Sequence, residues 1–77
     1  MFYPEQCRAA RGWLNWSQTD LAERARVSLS AVSDFENRRR NSSRETIAAL
    51  SSALKKEGAV FCEDKETATV LFLSGAS

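Results

Sequence analysis

Apolar residues recur at intervals of three and four through residue 57, in four groups separated by polar stretches. An α-helix brings residues at this spacing onto one face, so the pattern predicts four amphipathic helices. The groups are Cys7, Ala10 and Leu14; Leu21, Ala22 and Ala25; Val32 and Phe35; and Ile47, Leu50 and Leu54.

Capping residues set the boundaries of the first two predicted helices. Pro4 suits the first turn of a helix over residues 4–14, because its missing N–H has no partner there in any case. Asn15 tolerates the left-handed conformation that ends helices. Ser17 is a good N-cap for a second helix, which ends near residue 25.

The remaining elements have similar signals. Ser28 is expected to cap a third helix that runs to about residue 37, and either Ser42 or Ser43 caps a fourth that stops at Gly58. Beyond that glycine the period changes, and two β-prone runs flank a polar segment, which predicts a hairpin. We therefore expect a mainly α fold in one domain, residues 1–77, with a helical core over 4–57 and a C-terminal β-hairpin over 59–73.

Composition limits how so small a domain is stabilised. A chain of 77 residues has a marginal core and usually needs disulfides, a metal or a partner subunit. Cys7 and Cys62 are too few for a disulfide framework, and without histidine or a CxxC pair we expect no metal site and no cofactor. Both cysteines are expected to be small buried apolar residues rather than redox switches. Self-association remains as the stabilising device.

No apolar run approaches the length of a membrane span, and no export signal precedes the first helix, so we expect a cytoplasmic protein without a membrane partner. The net charge of +1 is unevenly distributed. Residues 1–58 contain ten Lys or Arg against seven Asp or Glu, a net charge of +3, whereas residues 59–77 have a net charge of −2. Three consecutive arginines, at 38 to 40, concentrate the positive charge.

Residues 17–37 form the most informative stretch, because a short helix, a tight turn and a second short helix follow one another. With Gln18 as the first position, the small Ala22 is the fifth, where two steeply crossing helices need a small side chain. Val27 is the tenth position, in the turn, and Val32 and Phe35 are the fifteenth and eighteenth. This spacing predicts a helix-turn-helix whose second helix has an outer face free for a DNA major groove.

The run WSQTDLAERARVSLSAVSDFENRRR resembles the Xre/Cro-type family of phage repressors and related bacterial regulators. The resemblance covers about residues 5–57. It implies a repressor-like four-helix domain, double-stranded DNA as the partner, and a dimeric transcriptional regulator that binds a palindromic operator through its third helix. A bacterial or phage-encoded protein associated with the nucleoid is expected. The matching residues are Ser17, Gln18, Leu21, Ala22, Val27, Ser28, Val32, Ser33 and Glu36.

Two departures from the family pattern concern glycines. Arg26 stands where the family has its turn glycine, and Arg38 stands two residues after the matching glutamate, where another glycine is usual. If the left-handed backbone is kept, each arginine is strained by roughly 1 kcal/mol or more. The hairpin replaces the usual fifth helix of the family, so its dimer geometry is not carried over.

The resemblance assigns DNA contacts to the third helix and to the loop that follows it. Ser28, Leu29, Ser30, Ser33 and Asp34 are the expected base-reading group, in which hydroxyls and a carboxylate meet base edges and Leu29 meets a thymine methyl. The alternative is a solvated polar face on which Ser28 only caps the helix. Gln18 is expected to contact a phosphate, rather than only to face solvent at a helix start. Expected backbone contacts along the loop are Arg38, Arg39, Arg40, Asn41 and Ser43.

Other residues are assigned to structure. In family members an arginine of the first helix pairs with the glutamate that ends the recognition helix, and Arg11 and Glu36 occupy those positions. We therefore expect this pair to lock the helices together. Trp13 and Trp16 are expected to pack against the core rather than to stack on bases.

The predicted hairpin is apolar on both faces, and such strands are usually covered on both sides. Val60 and Cys62 lie on one face and Phe61 on the other. We expect the helical domain to cover one side and a second subunit the other; the alternative is a hairpin folded only onto its own domain. The expected dimerisation residues are Val60, Cys62, Val70, Leu71, Phe72 and Leu73.

An enzyme is the weakest interpretation, because the chain has no histidine and no phosphate-binding glycine loop, and a lone cysteine nucleophile would lack a base. No small-molecule ligand is expected either. The main alternative is a protein-interaction module, such as an antitoxin or anti-regulator, built on the same fold.

Overall fold

The computed structural model describes residues 2–39 and 41–61, together with the backbone of residues 70–72. Arg40, Cys62 and Leu73, which the sequence assigned to DNA binding or dimerisation, lie outside the described residues. The predicted mainly α fold with a C-terminal hairpin is confirmed. Its elements are α1 (Pro4–Leu14), α2 (Gln18–Ala25), α3 (Leu29–Glu36), α4 (Arg44–Lys55), β1 (Ala59–Phe61) and β2 (Val70–Phe72).

Serine side chains cap the last three helices. Ser17 accepts a hydrogen bond from the backbone N–H of Asp20 at 3.0 Å, and the Asp20 carboxylate accepts one from the N–H of Ser17 at 2.9 Å. Ser28 caps α3 in the same way, with 3.0 Å from its Oγ to the Ala31 nitrogen. At α4 the cap is Ser43, which decides between the two serines that the sequence offered.

Left-handed residues end the first three helical segments. Asn15 has φ 59°, as its sequence position predicted, and Arg26 and Arg38 have φ 59° and 55°. Both arginines thus keep the backbone conformation that glycine usually supplies. At the end of α2 the Val27 N–H donates to the carbonyl of Ala22 at 3.0 Å, which satisfies a helix-end acceptor and explains why the geometry survives without glycine.

The core lies between the four helices and is continued by aromatic rings. Leu21, Val32, Leu50 and Leu54 are completely buried. Phe2 connects this core to the hairpin, because its ring centroid lies 5.4 Å from that of Phe35 and 4.6 Å from that of Phe61. None of the helices among the described residues is long and apolar enough to cross a membrane.

The two tryptophans behave differently, and the prediction for Trp13 is wrong. Trp13 is 72% exposed, because it lies with Ala9 and Gly12 on the outward face of α1, whereas Cys7 on the opposite face is buried. Trp16 is half-buried against the core, as expected, and the guanidinium carbon of Arg24 lies 4.7 Å from its ring centroid.

The hairpin strands pair antiparallel, with Ala59 opposite Phe72, Val60 opposite Leu71 and Phe61 opposite Val70. Side chains of β1 alternate as the strand geometry requires. Ala59 is 4% exposed and Phe61 packs against the core, whereas Val60 is 40% exposed. The helical domain therefore covers one face of β1, as predicted, and Val60 lies on the other.

We predict that Arg26→Gly stabilises the protein. Removing the β-carbon relieves left-handed strain, and the gain in the free energy of unfolding should be about 0.5–1 kcal/mol, measured by urea denaturation. Ala9→Gly, on the exposed face inside α1, is the matched control and should lose about 1 kcal/mol. An Arg26→Gly protein that is no more stable than the parent would show that the left-handed arginine costs nothing here.

Candidate nucleic-acid interface

Helices α2 and α3 form a helix-turn-helix joined by residues 26–28. Leu21 and Ala22 of α2 are buried against Val32 and Phe35 of α3, and the small Ala22 side chain, 5% exposed, allows the two helices to approach closely. This contact uses one face of α3. The opposite face begins with Leu29, which is 48% exposed, and is left accessible.

The five residues assigned to base reading differ in their surroundings. Ser28, Leu29 and Ser30 are exposed at the start of α3, and Ser33 and Asp34 are half-buried one turn later. The Ser28 Oγ accepts the capping hydrogen bond from the Ala31 N–H, and the Ser33 Oγ accepts a hydrogen bond from Asn37 Nδ2 at 3.3 Å. The accessible part of α3 is therefore its N-terminal half, and the Ser28 hydroxyl caps the helix at that end.

Residues assigned to backbone contacts lie between α3 and α4. Arg39, Asn41 and Ser43 are exposed, although the Ser43 hydroxyl caps α4 through the Thr46 N–H. Arg38 is also exposed, but its Nη2 donates to both carboxylate oxygens of Glu5, at 2.8 and 2.9 Å. Sequence reasoning did not anticipate this ion pair, since its partners are 33 residues apart.

A buried carboxylate holds the helix-turn-helix to α1. Glu36, at the end of α3, is 2% exposed. Arg11 donates to it from Nε and from Nη2, each at 2.7 Å, which confirms the predicted pair. Gln18 Nε2 donates to Oε1 at 3.0 Å and Cys7 Sγ donates to Oε2 at 3.1 Å. We call these four residues the Glu36 cluster.

Two further bonds extend the Glu36 cluster to the main chain. Arg11 Nη1 donates to the Trp16 carbonyl at 3.0 Å, and Arg8 Nη1 donates to the carbonyl of Glu36 itself. Helix α1 thereby fixes the start of α2 and the end of α3 at the same time. Gln18, for which the sequence predicted only a phosphate contact, has a structural role as well.

The electrostatics of the Glu36 cluster favour a carboxylate and a neutral thiol. Burial raises the pKa of Glu36, but hydrogen bonds from Arg11, Gln18 and Cys7 outweigh burial and leave that pKa below its usual value. For Cys7, burial and the neighbouring Glu36 charge raise the pKa of the thiol. Cys7 is completely buried, as predicted, and acts as a hydrogen-bond donor rather than as a thiolate.

We predict that Glu36→Gln destabilises the fold by about 2–3 kcal/mol, because it leaves the Arg11 charge without its partner. The 17% exposure of the Arg11 side chain keeps the loss below that of a fully buried pair. Urea denaturation measures the effect. Glu45→Gln, on the exposed first turn of α4, is the control and should change little.

The same variant tests the pH dependence. A carboxyl whose folded pKa is lowered contributes stability above its unfolded pKa of about 4.3, and this contribution is lost as the pH falls through the folded value. Between pH 5 and pH 3 the parent should therefore lose more unfolding free energy than Glu36→Gln does. Parallel losses in the two proteins would contradict the assignment.

The geometry matches a known family. A family model described as helix-turn-helix matches residues 8–61, which include α2, α3 and the Glu36 cluster except Cys7. No curated protein matches the chain. The match spans most of the 77 residues and agrees with the Xre/Cro-type motif in the sequence. The chain is a member of the Xre/Cro-type helix-turn-helix family of DNA-binding transcription regulators.

Proposed function

We propose that the protein is a dimeric transcriptional regulator that reads a palindromic operator through the outer face of α3. The observation that carries the proposal is the exposed N-terminal half of α3, on a helix whose opposite face and C-terminal end are fixed by the core and the Glu36 cluster. A recognition helix must be both accessible and rigidly oriented, because base contacts depend on its register in the groove.

Base readout in this proposal is modest. Leu29 would contact a thymine methyl, and Ser30, with Ser33 and Asp34 behind it, would meet base edges. These short side chains do not form the bidentate contacts that arginine, asparagine or glutamine make with purines. Part of the discrimination would therefore come from the shape of the DNA.

Phosphate contacts would orient the domain. Arg39 and Asn41 are exposed beside the end of α3, with Arg40 between them in the chain. At the start of α2 the backbone N–H groups and the Gln18 side chain would meet a phosphate on the other side of the groove, where the positive end of the helix dipole favours an anion. Glu36 would hold the Gln18 amide in place for that contact.

We predict that Arg39→Ala and Ser30→Ala affect binding in different ways. Fluorescence anisotropy would be measured on a duplex selected from a randomised pool and on a random duplex. Arg39→Ala, which removes one phosphate contact, should reduce the magnitude of the salt slope, d log K/d log [salt], by about 0.9 on both duplexes. Ser30→Ala should reduce affinity for the selected duplex only, with no change of slope.

A control is available at the far end of α4. Lys56 lies about 18 Å along the helix axis from Arg44, and Lys56→Ala should leave the slope unchanged. Equal, weak binding to all duplexes by the parent protein would contradict operator recognition. It would move the assignment to the partner-binding alternative below.

Dimerisation is assigned to the hairpin. Val60 is an exposed apolar residue on the face that the helices leave uncovered, and β2 adds the apolar sequence Val70–Phe72 beside it. The other candidate face is α4, but Arg44 and Lys55 lie at its two ends. Antiparallel packing of two copies on α4 would bring these cations together, so the hairpin is the better interface. A symmetric dimer would then read two half-sites.

We predict that Val60→Glu produces a monomer at tens of micromolar in sedimentation velocity, because it places a charge in the apolar interface. The parent protein should sediment as a dimer at the same concentration. Val60→Thr, of similar shape, is the control: it should fold and keep part of the dimerisation. A monomeric parent protein would contradict the assignment of the hairpin to dimerisation.

A second candidate function is the binding of a protein partner. A shallow groove of about 310 Å³ runs along α4 beside β1, and its apolar floor with a cation at either end fits a partner segment with apolar residues between two acidic ones. If Ala48→Glu loses transcriptional regulation but keeps its DNA affinity, partner binding is favoured. If only Arg39→Ala loses transcriptional regulation, operator binding is favoured. The lining residues are Phe2, Arg44, Ile47, Ala48, Ser51, Lys55 and Phe61.

A further inference from the structure

The ion pair between Glu5 and Arg38 joins two parts of the molecule that are distant in sequence. Glu5 is in the first turn of α1, and Arg38 follows the end of α3 in the loop assigned to the DNA backbone. Arg38 Nη2 lies 2.8 and 2.9 Å from the two carboxylate oxygens, and both side chains are about half exposed. The contact therefore occupies one of the cations that the loop would offer to phosphates.

Stability does not account for this arginine. Arg38 has φ 55°, a conformation that glycine adopts without strain, and its N–H donates to the Phe35 carbonyl whichever side chain is present. An exposed ion pair adds little to folding stability. A strained residue that contributes little to the fold is a candidate for a functional role.

The charge state of the pair bears on the same question. The hydrogen bonds from Arg38 are the main cause that lowers the pKa of Glu5, and the positive charge of Arg8 acts in the same direction. Glu5 is thus an anion at neutral pH. A phosphate oxygen offers a guanidinium the same kind of acceptor as a carboxylate oxygen does, so Glu5 and a DNA phosphate compete for the same donors.

We propose that Glu5 is an intramolecular competitor for the DNA backbone, which holds Arg38 and weakens the sequence-independent part of DNA binding. The inference rests on the proposed DNA-binding function and concerns the regulation of that site. Because phosphate contacts dominate non-specific affinity, reducing their number by one lowers binding to random DNA and leaves base contacts at α3 unchanged. Among the residues that the structure describes, no carboxylate pairs with Arg39, the neighbouring cation in the loop, so Arg39 serves as the reference.

The test is a double-mutant cycle in DNA binding, on the selected and the random duplex, from 50 to 300 mM KCl. Glu5→Gln should increase the affinity for both duplexes by about 3–10-fold and steepen the salt slope by about 0.9, because Arg38 becomes available to a phosphate. Arg38→Ala should leave the slope nearly unchanged in the parent protein and should abolish the gain in the Glu5→Gln background. Arg38→Ala keeps the β-carbon, so the left-handed strain is the same in all four proteins.

Glu45→Gln is the control for a general charge effect. Glu45 is exposed in the first turn of α4, next to the same loop, and its substitution adds the same net charge without touching Arg38. Glu45→Gln should raise the DNA affinity less than Glu5→Gln does. Its gain should be the same whether residue 38 is arginine or alanine. Equal gains from the two glutamine variants would overturn the proposal.

Two other outcomes would also overturn it. Weaker binding by Glu5→Gln would mean that Glu5 positions Arg38 on the DNA, and an Arg38→Ala slope change as large as that of Arg39→Ala would mean that Arg38 already contacts a phosphate. Failure of operator recognition is separate, since it would appear as equal affinity of the parent protein for the selected and random duplexes. The effect of Glu5→Gln on the salt slope can be judged from the random duplex alone. It therefore does not depend on whether the parent protein recognises an operator.

Discussion

The arrangement of the helices depends on one buried carboxylate, Glu36, and on the donors that surround it. The side chain is 2% exposed, and an ionised group in that position is tolerated only when its lone pairs are satisfied. Arg11, Gln18 and Cys7 supply those donors from two other helices. Because hydrogen bonds are directional, the cluster fixes the orientation of α1, α2 and α3, which hydrophobic contacts alone constrain less closely.

This constraint connects the fold to the proposed DNA-binding surface. Glu36 ends α3 and Gln18 begins α2, so a single carboxylate connects the proposed recognition helix to the helix start proposed to meet a phosphate. The apolar side chains of Leu21, Val32 and Phe35 are buried between the two helices and pack them together. Under the proposed function, Glu36 and Gln18 would serve both stability and DNA binding, while the exposed half of α3 would be free to vary its base contacts.

Much of the fold was predictable because its signals are local. The helices and their serine caps follow from periodicity and short-range hydrogen bonding, and the left-handed Asn15 follows from residue type. The Arg11–Glu36 pair required the family resemblance. Trp13 was wrongly assigned to the core, since the sequence does not show which face of α1 is outward until the neighbouring elements are placed. The Glu5–Arg38 pair was not predictable either, because nothing in the sequence relates residues 33 positions apart.

The most direct test of the central claim is a titration of the ¹⁵N-labelled protein with a duplex selected from a randomised pool, followed by amide chemical shifts. If α3 is the recognition helix, the largest shifts should fall on Leu29, Ser30 and Ser33 and at Gln18, with little change along α4 beyond its first turn. Shifts confined to the groove of α4 and β1, with α3 unaffected, would contradict the account.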